Sequence, residues 1–261
     1  MVFLKLIVNI NVKVIFMILD LLDILHGIFT IVFVSLSIIT GGIIISKYFK
    51  LKKSQFLLFG LFWIGLTTPW WPNLITFIIV LITNNPIGIQ AFIVIGISFL
   101  PITIILGLIA FTEVLPISKR NRKIFLIISF TPNIIYEIFF FSVVFTDLPL
   151  IATYLPPPEI FTIQWSIISQ IYFIVSLVFF LIVGISFSRV SMRSNIAEIK
   201  LKGKFLLFAF LSFTVGTVLD FAIPSKMTYV IARLVLVTST LAFYVGLMLP
   251  KWIKEMFIRK S

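Results

Sequence analysis

Asp220 and Arg233 are an acid and a base set into long apolar runs, where an isolated charge is costly and a paired one is tolerated. Asp220 lies four residues before Pro224, and Arg233 lies four after Tyr229. Each therefore stands about one helical turn from the same tight connection, and the two should meet. Glu137 is a third ionisable group in an apolar run, with Asn133 one turn away on the same face and Pro132, just before Asn133, loosening the helix there. A carboxyl at that depth should face a bundle interior, where it can hold a proton or accept a hydrogen bond. Trp70 and Trp71, inside the run "TTPWWPN", add two indole N–H donors on large apolar rings. Gln170, with Gln164, Gln90 and His26, supplies further polar groups near the ends of apolar runs. The absence of cysteine excludes disulfides, thiolate metal sites and cysteine nucleophiles, and a single histidine cannot build a metal cluster alone. No cofactor and no catalytic activity are expected from this set.

The elements that must position these residues follow from composition. The chain has 261 residues, of which 61% are hydrophobic and 11% charged, with a mean hydropathy of +1.22. Soluble domains carry roughly 25% charged residues. A spanning helix needs about 20 mostly apolar residues, and seven runs qualify, at 24–46, 54–82, 89–113, 124–146, 162–187, 205–223 and 229–249. The expected fold is all-α, an integral membrane bundle of seven transmembrane helices. It divides into an N-terminal outside segment over 1–23, the helical domain over 24–249, and a cytoplasmic tail over 250–261. In that tail Trp252, Ile253, Met256 and Phe257 share a face, as in an interfacial helix.

Charge orients the bundle. Of the 21 basic residues, 17 fall in the connections after spans one, three and five and in the tail after span seven. Because cytoplasmic loops retain Lys and Arg, the N-terminus is expected outside and the C-terminus inside. The net charge of +12 is thereby explained by orientation and contact with anionic membrane lipids, and nucleic acid is not expected as a partner. Pro156, Pro157 and Pro158 favour an extended spacer between spans four and five.

Depth can then be assigned along each span at about 1.5 Å per residue. Trp70 and Trp71 come out some 24 Å above the inner surface, and Glu137 about 20 Å above it. Pro69 and Pro72 cannot donate to the carbonyls of Gly65 and Thr68, which leaves these groups for a hydroxyl, a water or a ligand. The inner half is almost wholly apolar. An outward-facing pocket lined by Trp70, Trp71, Asn133, Glu137, Gln170, Asp220 and Arg233 is the expectation.

Seven spans bring the rhodopsins to mind, but span seven, "YVIARLVLVTSTLAFYVGLML", has no lysine for retinal. Neither HExxH nor GxSG occurs, so the zinc and serine intramembrane proteases are excluded as well. Through "YFKLKKSQFLLFGL", "PWWP", "EIKLKGKFLLFAFLSFTVGTVLD" and "FYVGLMLPKWIK" the chain resembles an uncharacterised group of archaeal seven-span membrane proteins, a resemblance that implies no activity. It is more loosely similar to the seven-helix sensor regions of some histidine kinases. A receptor-like or sensor-like module is the leading expectation, with a small-molecule ligand and a cytoplasmic protein partner reached through the basic loops. A small-molecule or proton-coupled transporter is the alternative, and a structural or assembly role is third.

Overall fold

The computed structural model describes residues 19–115, 117–154, 161, 163–223 and 225–258. The segment 1–18, the Pro156, Pro157 and Pro158 spacer and the last three residues of the tail lie outside the described residues.

Seven helical segments are long and apolar enough to cross a membrane. The first, α1 (Leu21–Leu51), begins at Asp20, whose carboxylate accepts from the Asp23 backbone N–H while the Asp23 carboxylate accepts from that of Asp20. This reciprocal cap satisfies two N–H groups that the first turn leaves free, so residues 21–23 belong to the first span rather than to the preceding segment. Lys226 donates to both carboxylates, at 2.8 and 2.7 Å, and its hydrogen bond holds the Asp20 carboxyl below the ordinary carboxylate range. The second span is α2 (Ser54–Leu66), a 3-10 turn (Thr68–Trp70) and α3 (Trp71–Thr83). The third is α4 (Ile89–Ile97) followed by α5 (Leu100–Val114). The others are α6 (Lys119–Val143), α7 (Ile167–Met192), α8 (Ala197–Ala222) and α9 (Lys226–Met248).

Span five starts later than the hydropathy suggests. Ile163–Trp165 is a strand, β2, paired antiparallel with β1 (Ala152–Tyr154) in a two-stranded hairpin. Gln164 thus lies on a strand rather than in the outer third of a helix, and α7 begins after Ser166, whose side chain accepts from the Ser169 N–H. The bundle is otherwise helical. In the tail, α10 (Lys251–Phe257) buries Ile253 against Val245 and Leu249 and leaves Trp252, Met256 and Phe257 exposed. Lys254 pairs with Glu198 across to α8.

Two ends can be named from the chain: the Asp20 end, where α1, α4, α7 and α9 begin, and the basic end, where α2, α6 and α8 begin. The most extensive packing joins α8 to α9, and α1 packs against both α9 and α2. Glycine makes the α1–α2 contact close, since a Cβ on Gly60 would meet the Gly41 carbonyl oxygen at 2.7 Å and one on Gly41 would meet the Gly60 oxygen at 2.9 Å. Small residues of this kind let membrane helices approach backbone to backbone. α2 continues the ring to α5, while α7 packs on α8. α6 lies at the margin, mainly against α5, and only 22% of its most apolar stretch is buried.

Near the basic end the interior is filled. Trp63 stacks on Phe243 at 3.7 Å, and Phe59, Phe111 and Phe187 form a triangle with centroids 4.9–6.0 Å apart. Such aromatic pairs add to the area each ring buries. Toward the Asp20 end the helices part around a cavity.

Candidate functional site

Arg233 is the centre of the polar cluster at the Asp20 end, with only 1% of its side chain exposed. Its Nη1 donates to Asp220 Oδ1 at 2.5 Å, and its Nε donates to Thr30 Oγ1 at 2.9 Å. Thr30 in turn donates to the His26 carbonyl. Nη2 lies 2.9 Å from His26 Nε2. A guanidinium only donates, so Nε2 must accept, which makes His26 the neutral tautomer with its proton on Nδ1. Asn73, with its amide oriented to satisfy both contacts, accepts from Nη2 at 3.3 Å and donates to the Phe161 carbonyl at 3.1 Å. Four of the five guanidinium N–H groups are therefore engaged. Arg233 also lies 5.9 Å from the centre of the Trp70 ring.

Asp220 is the complementary case. One oxygen accepts from Arg233 and the other from Trp70 Nε1 at 2.8 Å, yet an ionised carboxylate offers about four lone-pair positions. Its side chain is 18% exposed, and Asp220 is one of the residues that line the cavity. Thr217, one turn away on α8, also lines the cavity, and its Oγ1 has no hydrogen-bond partner among the described residues.

The cavity measures about 160 Å³. Its polar end is built by His26, Asn73, Ser176, Thr217, Asp220 and Arg233. Phe161, Ile163 and Trp165 close over it from the hairpin side, while Phe62 and Leu66 of α2, Ile104 and Leu108 of α5, Phe180 and Val183 of α7 and Phe213 of α8 form the apolar walls. Phe111 is the floor, backed by Phe59 and Phe187. Neither family models, nor curated proteins, nor solved structures match this chain. The site must be read from its own geometry.

Of the residues expected to converge, Trp70, Asp220 and Arg233 do so. The other four lie elsewhere. Trp71 points away from the cavity and donates to Thr67 Oγ1 at 3.2 Å. Asn133 is buried between α6 and α7, where it accepts from the Tyr172 hydroxyl at 2.9 Å and donates to the Ser129 carbonyl. Beside it Tyr136 and Tyr172 stack with centroids 3.8 Å apart. Glu137 follows Tyr136 on the marginal helix α6, half-buried, with Oε2 unpartnered among the described residues. Gln170 braces the start of α7 by donating to the Trp165 carbonyl at 2.8 Å. Asn133 and Glu137 stay out of the pocket because α6 sits outside the ring that encloses it, whereas Trp71 on α3 and Gln170 on α7 turn to the Thr67 hydroxyl and the Trp165 carbonyl.

The carbonyls freed by proline are also closed internally. Thr68 Oγ1 donates to Gly65 O at 2.8 Å, and the Trp71 N–H donates to Thr68 O. They are not available to a ligand. Conversely, Thr30, Asn73, Ser176 and Thr217 belong to the site and were not singled out from sequence. One signal was present: His26 and Thr30 stand four residues apart on an apolar helix at the same end as Arg233.

Proposed function

We propose that this multi-pass membrane protein is a receptor-like or sensor-like seven-helix module that admits a small molecule into the cavity at the Asp20 end. The observation that carries the reading is the contrast along the bundle. A partly exposed acid beside a buried, unpartnered hydroxyl stands at the head of a cavity whose other end is shut by packed aromatic rings. A transporter needs a second exit, and the Phe59, Phe111 and Phe187 plug occupies that place. In this reading the Asp20 end faces outward and the basic end lies in the cytoplasm of a cell-membrane protein, following the charge bias of the connections. The basic segments then serve both anionic lipid and a cytoplasmic partner that reads the state of the bundle.

The chain has no cysteine, so single-cysteine variants are clean reporters. In sealed vesicles of known orientation, Ser176→Cys should react with a small impermeant thiol reagent added on the Asp20 side and not with the reagent added on the basic side. Reaction from both sides would favour transport. No reaction from either side in folded protein would remove the cavity as a binding site.

A further inference from the structure

We infer that the occupant of this cavity is a single-chain amphiphile with a neutral head group carrying O–H or N–H donors. The inference rests on the binding reading above and adds the chemistry of the ligand.

Length comes first. On α7 the lining residues run from Phe173 to Val183, and on the third span, below Phe92, which is set apart toward the Asp20 end, they run from Ile97 to Phe111. At about 1.5 Å per residue these correspond to roughly 15 and 20 Å along the bundle. The backbone of an extended polypeptide advances about 1.2 Å per bond, so an unbranched chain of roughly 12 to 16 bonds fills that length. Width follows from volume. Spread over about 18 Å, the 160 Å³ leaves a channel in which centres move about 1.7 Å from the axis. Two chains packed side by side need their carbons about 4 Å apart, which this channel does not provide. One chain fits.

The head group follows from unused valence. Arg233 is nearly fully engaged by Asp220, Thr30, His26 and Asn73, so the cavity offers little to a ligand carboxylate or phosphate, and Asp220 repels either. Asp220 has acceptor positions left, and the Thr217 hydroxyl beside it is unpartnered. Both are met by a hydroxyl or amide that donates to Asp220 and, once the buried Thr217 hydroxyl rotates toward it, accepts from Thr217. Arg233 and Asp220 already cancel in charge with His26 neutral, so an uncharged head adds no net charge to a desolvated cluster, whereas an ammonium would. The Phe180, Leu108 and Ile104 walls then take the tail.

The test uses the Ser176→Cys protein in bilayers of two-chain phosphatidylcholine and reads the rate of thiol labelling. Hexadecanol should slow labelling several-fold more strongly than hexadecane, octanol, or hexadecanoate in alkaline buffer. Adding Thr217→Val should weaken hexadecanol about fivefold, toward hexadecane, because one neutral hydrogen bond is lost. Adding Ile104→Trp should abolish protection by hexadecanol and spare that by octanol, since it fills the tail channel and leaves the head site. If the thiol labels readily but hexadecanol gives no protection, or hexadecanoate and hexadecane protect equally well, the ligand class is wrong while the cavity stands. A thiol that never labels removes the binding reading itself.

Discussion

Asp220→Asn changes almost no volume and withdraws one negative charge from beside a cation that is 1% exposed. The carboxylate accepts from both Arg233 Nη1 and Trp70 Nε1, but an amide has one acceptor oxygen, and its NH₂ must then face one of those donors. The loss includes a charged hydrogen bond worth about 1.5–3 kcal/mol and the exposure of Arg233 to a site without a counter-charge. Breaking a buried pair from one side costs about 3–5 kcal/mol. Because Thr30, His26 and Asn73 still hold the guanidinium, the expected cost lies at the lower end, about 3 kcal/mol. Arg233→Gln leaves a carboxylate that is 18% exposed and lines a cavity with room for water, which softens its penalty. It also loses three neutral contacts at about 0.6 kcal/mol each, the average for interhelical hydrogen bonds in a membrane. The single variants should therefore lose similar amounts, and Asp220→Asn with Arg233→Gln should recover about 2 kcal/mol or more relative to their sum. Equilibrium unfolding in mixed micelles, titrated with dodecyl sulfate and followed by helical circular dichroism, measures all four corners of the cycle. A coupling below about 0.6 kcal/mol would place the pair among ordinary neutral contacts and refute the idea that a buried charge pair holds α8 to α9 at this end.

Three further outcomes are expected. Gly60→Leu should force α1 from α2, because its Cβ would stand 2.7 Å from the Gly41 carbonyl oxygen, and should lower stability by about 1–3 kcal/mol or more in the same unfolding assay. Tyr172→Phe removes the hydroxyl that donates to Asn133 at 2.9 Å and should cost about 0.6–1.7 kcal/mol, with hydrogen exchange quickening in α6. On the proposed orientation, Ser118→Cys and Ser194→Cys should resist an impermeant thiol reagent on intact cells, and labelling of either would reverse the bundle.

The spans were legible because hydropathy over some twenty residues needs no tertiary information. The Asp220–Arg233 pair was legible for a related reason, since two charges at one depth on helices joined by a short link have few other partners. What sequence could not supply was the order of helices around the ring. Asn133, Glu137 and Gln170 lie at a plausible depth, but Asn133 bonds to Tyr172 and Ser129, Gln170 bonds to Trp165, and Glu137 stays on the marginal helix α6, and depth alone cannot separate a cavity wall from a neighbouring interface. The late start of α7 was hidden in a similar way. Ile163 and Trp165 extend the apolar run, while the β1 partner that makes them a strand lies beyond the proline segment. The Ser166 cap was the one local hint.

The proline breaks bear on how such a bundle can respond to an occupant. Spans two and three both break, at Thr67–Trp70 and at Ser98–Phe99, and the breaks face each other: a Cβ on Gly96 would meet Pro72 at 3.1 Å and Pro69 at 3.7 Å. A break with unsatisfied carbonyls would bend readily. Here the Thr67 hydroxyl donates to Ile64 O, that of Thr68 to Gly65 O and that of Ser98 to Val94 O, at 2.6–2.8 Å. The PWWP segment is thus a fixed offset that turns Trp70 to Asp220 and Trp71 to Thr67, rather than a hinge. Movement must come from elements with fewer ties. The hairpin meets the cavity through Phe161, Ile163 and Trp165, and α7, although it packs closely on α8, is held to α6 chiefly by the tyrosine stack and its hydrogen bonds. An occupant that fills the channel presses on α7 along Phe173 to Val183, and α7 runs on to Arg189 and the basic end. In the proposed receptor-like reading, that is the route by which a change at the head group would reach a partner on the other side.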